Sequence, residues 1–94
     1  MAAYLVGHIT IKDAAQWEIY VEGVGRSLLP YNAEVVFRGE LNKVLTGEHS
    51  HQKTVVISFP DQVSLQEWYQ SKEYQELIPI RDRAADVVII SYDT

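Results

Sequence analysis

The stretch Glu34 to Phe59 reads EVVFRGELNKVLTGEHSHQKTVVISF and holds two strand-like runs with no helical pattern between them. Glu34 to Leu41 is the first, with Val35, Phe37 and Leu41 sharing a face and Gly39 placed for a bulge. Lys53 to Phe59 is the second, with Val55, Ile57 and Phe59 alternating on one face until Pro60-Asp61 stops it. Asn42 to Glu48 extends the first run or carries a turn at Gly47. Two adjacent strands in mid-chain leave the fold to be set by what flanks them.

Upstream lies one strand and one helix. Tyr4 to Ile11 (YLVGHITI) sets Leu5, Ile9 and Ile11 on one face and Tyr4, Val6, His8 and Thr10 on the other. Gly7, on the apolar face, leaves room for a close approach to the backbone. Asp13 with Gln16 is a capping box, and Trp17, Tyr20, Val21, Val24 and Leu28 then recur at helical spacing. Glu22 and Arg26 form a favourable i,i+4 pair, and Pro30 ends the helix near Leu28 or Leu29.

Downstream the pattern repeats. Ser64 with Glu67 reads as a second capping box, with Leu65, Trp68 and Tyr69 inward. The stripe then jumps phase to Tyr74, Leu77, Ile78 and Arg81, so Ser71 restarts or kinks the helix and Pro79 disturbs it. Asp86 to Tyr92 (DVVIISY) closes the chain as a mostly apolar strand.

The order β-α-β-β-α-β, with right-handed crossovers, predicts a ferredoxin-like α+β fold over residues 1–94 as a single domain. Its four-stranded antiparallel sheet carries both helices on one face, with the first and third strands central. The covered face is expected to hold Leu5, Ile9, Ile11, Val35, Phe37, Val55, Ile57 and Phe59. The open face is expected to hold Tyr4, Val6, His8, Val36, Arg38, Val56, Ser58, Ile90 and Tyr92. An apolar surface of that extent marks an interface, and a short chain gains core by association. The expected partner is a second copy, packed sheet to sheet.

Composition narrows the chemistry. The 94 residues carry 13 acidic and 8 basic side chains, a formal charge of −5, which argues against nucleic acid or an anionic membrane as partner. There is no cysteine, which excludes disulfides, thiolate catalysis and Cys-ligated metal centres. No apolar run approaches the ~20 residues of a membrane helix, and the N-terminus lacks a signal-peptide pattern. The expectation is a soluble, cytoplasmic module.

With these elements placed, the chain resembles the family of domains of unknown function numbered 1330, grouped with the dimeric α/β-barrel proteins. The matching residues are Ala3-Tyr4, Asp13, Tyr20, Pro30-Tyr31, Gly39, Gly47 and Phe59-Pro60. The densest match is Trp68-Tyr69-Gln70-Ser71-Lys72-Glu73-Tyr74, followed by Leu77 and Arg81. Ser58 and Thr46 stand where members of the family usually carry an acidic residue, so any acid/base work done by those carboxylates is lost here. The resemblance implies the fold and a dimer but no established reaction. The wider superfamily is similar in architecture to cofactor-free monooxygenases, haem-degrading enzymes and small isomerases.

Three sets of residues bear on function. His49-Ser50-His51 has surface-metal spacing, with Glu48 as a third ligand, but no further cluster completes a site and such polar turn segments are usually solvated hairpin tips; the expected metal is none. His8 is an acid–base candidate inside a strand, or a hydrogen-bonded interface histidine. Tyr20, Tyr74 and Arg81, with Trp17, form either a ligand cleft or core aromatics with a paired arginine. In the cleft reading, Arg81 clamps an anion while the aromatics stack on an apolar body. No phosphate loop, serine nucleophile or cofactor motif is present, so no cofactor is expected. The function read from the sequence is therefore binding of a small anionic or aromatic molecule between helices and sheet. The alternative is a cofactor-independent monooxygenase- or isomerase-like enzyme.

Overall fold

Asp13 is extended, and its side chain accepts a hydrogen bond from the Gln16 backbone N–H at 3.2 Å, so the first helix begins at Ala14. In the computed structural model, which describes residues 2–94, that helix is α1 (Ala14–Leu28), preceded by β1 (Ala3–Ile11). A 3₁₀ turn at Leu29–Tyr31 takes in Pro30, and Asn32 in the left-handed region redirects the chain. The two mid-chain strands follow as β2 (Glu34–Glu40) and β3 (Lys53–Phe59).

The second helical region is divided into three: α2 (Gln62–Gln70), α3 (Lys72–Gln75) and α4 (Ile78–Ala84). Its start lies earlier than the Ser64–Glu67 pattern suggests. Asp61 is the cap, accepting from the Ser64 N–H at 2.8 Å, because an Asp directly after the strand-ending proline is already extended there. Ser71 is the restart. Its hydroxyl donates to the Trp68 carbonyl at 2.7 Å and accepts from the Tyr74 N–H at 3.2 Å, ending α2 and capping α3 with one side chain. Pro79 does not break a helix but lies in the first turn of α4, where its missing N–H has no partner to lose. The chain ends on β4 (Ala85–Asp93).

The strands form one sheet in the order β2-β3-β1-β4, so the first and third are central, and all three pairings are antiparallel. Ala3, Leu5 and Ile9 of β1 are buried under the helices with Ile57 and Phe59 of β3 and Leu65, Trp68 and Tyr74 above them.

The two sheet faces match the alternation in the sequence except on β2. There the ladder pairs Val35 with Ile57 and then Phe37 with Val56, leaving Val36 as an extra residue. The bulge is therefore at Val36, not Gly39, and it inverts the faces of everything after it. Phe37 was expected among the core residues but lies on the open face, 53% exposed, with its ring across Gly39, where a Cβ would meet the ring at 2.6 Å. Arg38 was expected on the open face but pairs with Val55 on the helix-covered side. The open face carries Val6, Phe37, Val56, Val88, Ile90 and Tyr92, several of them substantially exposed.

If Ser71 joins α2 to α3 as described, Ser71→Ala removes both bonds. It should lower unfolding free energy by about 1 kcal/mol, read as a reduced urea midpoint at constant slope.

Candidate functional site

Between α1 and the sheet, towards the β2 edge, lies a cavity of about 370 Å³. Its floor is Leu5, Gly7 and Ile9 of β1 with Val55 and Ile57 of β3, and its roof is Trp17, Tyr20, Val21, Val24 and Gly25 of α1. Two glycines help to make the room. Gly7 puts no side chain into the layer from the central strand, and nothing lies within 4 Å of where a Gly25 Cβ would be. Trp68 closes the inner end, with its indole N–H bonded to the Ser27 hydroxyl at 2.9 Å.

Charge is confined to one end. The charged residues lining the cavity are Arg38 and Glu40, placed on the covered side by the bulge in β2, and Lys53, in phase with Val55 and Ile57 on β3. Lys53 donates to Glu40 at 2.9 Å, and this bond, with the cation's charge, holds the Glu40 carboxyl below its ordinary value. Arg38 forms no ion pair among the described residues.

The residues singled out in the sequence fall into three places. Trp17 and Tyr20 line the cavity, with ring centroids 5.0 Å apart. Tyr74 and Arg81 stand behind Tyr20 and do not line it. The Tyr20 and Tyr74 hydroxyls are 2.9 Å apart, and Arg81 Nη1 donates to the Tyr74 hydroxyl at 3.0 Å. Arg81 also pairs with Asp82 at 3.2 Å. Burial pushes the Tyr20 pKa up, and the neighbouring Tyr74 adds to the shift, so Tyr20 is a neutral phenol. For Arg81, burial acts to lower the pKa, but the Tyr69 and Tyr74 hydroxyls and Asp82 outweigh it and the guanidinium stays charged.

His8 lies on the opposite, open face, its Nδ1 3.1 Å from the Thr54 hydroxyl and its ring 4.9 Å from that of His49. His51 approaches the Thr10 hydroxyl at 2.9 Å. Desolvation, then His49 and His51, hold the His8 pKa below its ordinary 6.5. No three His, Asp or Glu side chains among the described residues are arranged to hold a metal ion. Ser58 pairs with Tyr4 on the open face, and Thr46 lies in the exposed stretch after β2. Neither lines the cavity, so the two departures from the family pattern remove nothing from it.

Sequence reasoning missed Arg38, Glu40 and Lys53. For Arg38 and Glu40 the signal was present in Val35-Val36-Phe37, three consecutive apolar residues where strict alternation allows no such run, and for Lys53 in its phase with Val55.

The topology defines a ferredoxin-like α+β protein, and comparison with known proteins agrees. A family model described as a domain of unknown function (DUF1330) matches residues 2–92, and the chain belongs to that family. Among solved structures, a protein of unknown function from Rhodopseudomonas palustris is similar at a TM-score of 0.85 and 15% identity, over 99% of this chain and 82% of that one. SnoaB, a cofactor-independent oxygenase from Streptomyces nogalater, is similar at 0.69 and 9% identity, over 99% and 92%. A dimeric ferredoxin-like protein of unknown function from Jannaschia is similar at 0.69 and 8% identity, over the full length of both chains. Identities this low show the fold alone. No curated protein sequence matches the chain. No helix among the described residues is long and apolar enough to cross a membrane.

The hydrogen-bonded line from Arg81 through Tyr74 to Tyr20 is a stability element, since Tyr74 is fully buried. Tyr74→Phe leaves the Tyr20 hydroxyl and one Arg81 N–H without their partner and should cost about 1–3 kcal/mol, measured by urea unfolding.

Proposed function

We propose that the protein is a homodimer that binds a small, largely apolar molecule in the cavity between α1 and the sheet. The cavity itself carries this reading. A solvent-open recess of about 370 Å³ lined mostly by apolar and aromatic side chains has the size and character of a small-molecule site. Trp17 and Tyr20 offer flat aromatic walls, while Tyr74 and Arg81 hold the Tyr20 hydroxyl from behind. Dimerisation is supported by the open face, where Phe37, Val88, Ile90 and Tyr92 are exposed together, and by the dimeric protein that shares the fold.

The enzymatic reading, a cofactor-independent oxygenase, draws its support from SnoaB. Within this cavity the one carboxylate, Glu40, is already bonded to Lys53. Binding is the reading the side chains favour.

Gly25→Leu tests the cavity. The new side chain has space and improves helix propensity by up to about 1 kcal/mol, so the melting temperature should rise. The same variant should lose the saturable thermal shift that wild type shows against a panel of two-ring aromatic compounds. A shift equal in both proteins places the ligand elsewhere.

Val56→Asp tests the assembly, because it sets a charge on the open face of a central strand. Light scattering should then give the monomer mass or aggregate, and a wild-type dimer mass would reject the sheet-to-sheet interface.

A further inference from the structure

The polar end of the cavity has an uncompensated positive charge. Two cations, Arg38 and Lys53, and one carboxylate, Glu40, line it, and Lys53 and Glu40 are bonded to each other. Arg38 has no acidic partner among the described residues of a chain whose formal charge is −5. The bulge at Val36 carries this arginine to the helix-covered side of β2, opposite Val55, where it remains exposed at the cavity mouth. Beyond it the lining is apolar and aromatic, ending at Trp68.

From that distribution we infer that the ligand is an aromatic monocarboxylate. Its rings lie against Trp17 and Tyr20, and its carboxylate is taken by the Arg38 guanidinium at the cavity mouth. The inference rests on the proposed binding function and assigns the ligand class and the residue that selects it. A guanidinium presents two parallel N–H donors that match the planar fork of a carboxylate. A single negative charge neutralises Arg38, whereas a doubly charged phosphate ester brings excess charge against Glu40. The Lys53–Glu40 pair, beside it, sets the edge of the mouth without adding net charge.

Three probes of one shape test this: 2-naphthoate, the neutral 2-naphthalenemethanol, and 2-naphthyl phosphate, titrated into the whole protein by calorimetry. Wild type should bind 2-naphthoate about tenfold more tightly than the alcohol, the size of one charge-assisted hydrogen-bond pair, and more tightly than the phosphate. Arg38→Gln should bring the naphthoate-to-alcohol ratio close to one. Arg38→Lys should restore part of the preference, since charge returns without the fork. Glu40→Gln should strengthen naphthoate binding by removing the only negative charge at the mouth. If naphthoate and alcohol bind equally, or Arg38→Gln leaves the ratio intact, the carboxylate assignment is overturned while cavity binding stands. If the phosphate binds best, the anion class is wrong. If none of the three binds, the binding function itself fails together with the inference.

Discussion

Val36 has no partner across the ladder to β3, and because strand side chains alternate with a period of two, this one residue reverses the faces of the rest of β2. Phe37 is turned out and Arg38 in. The exchange puts an aromatic ring on the open sheet face and a guanidinium at the mouth of an otherwise apolar layer. Both proposed surfaces, the dimer face and the ligand cavity, follow from this local geometry. The open face becomes more apolar and better suited to a second copy, and the covered side acquires Arg38, which forms no ion pair among the described residues.

The layer between sheet and helices is filled unevenly. On the side of α2 and α3 it is dense with aromatics: Phe59, Trp68 and Tyr74 are almost fully buried, and the Trp68 and Tyr74 rings are 4.3 Å apart. That density is held by specific polar bonds, Trp68 to Ser27 and Arg81 through Tyr74 to Tyr20. On the β2 side, α1 and β1 present Gly25 and Gly7, and the volume opens. Tyr20 belongs to both regions. Its ring is a cavity wall and its hydroxyl is anchored in the packed half, so the wall cannot swing without breaking a buried hydrogen bond.

The three histidines gather on the other side of the sheet, His8 between Thr54 and His49, and His51 near Thr10. They are separated from the cavity by the thickness of the sheet. Their mutual proximity, together with desolvation, disfavours the charged form of His8.

The amino-acid sequence determined the element order, the central position of the first and third strands, the cap at Asp13, the break at Ser71 and the aromatic content of the core. These follow from local spacing, and local spacing survives folding. It also offered Trp17 and Tyr20, together with Tyr74 and Arg81, as either a ligand cleft or core aromatics, because aromatics at helical spacing were expected to meet an arginine at one end of the sheet. What the sequence did not determine is which residues share a face on β2. Alternation is read relative to a starting phase, and a bulge resets that phase at a point chosen by the pairing with β3. Only the tertiary structure placed Arg38, Glu40 and Lys53 together at the cavity mouth, and only it set Arg81 behind Tyr74 rather than in the cavity. Both outcomes depend on contacts between segments far apart in the chain, and no periodicity within a segment carries that information.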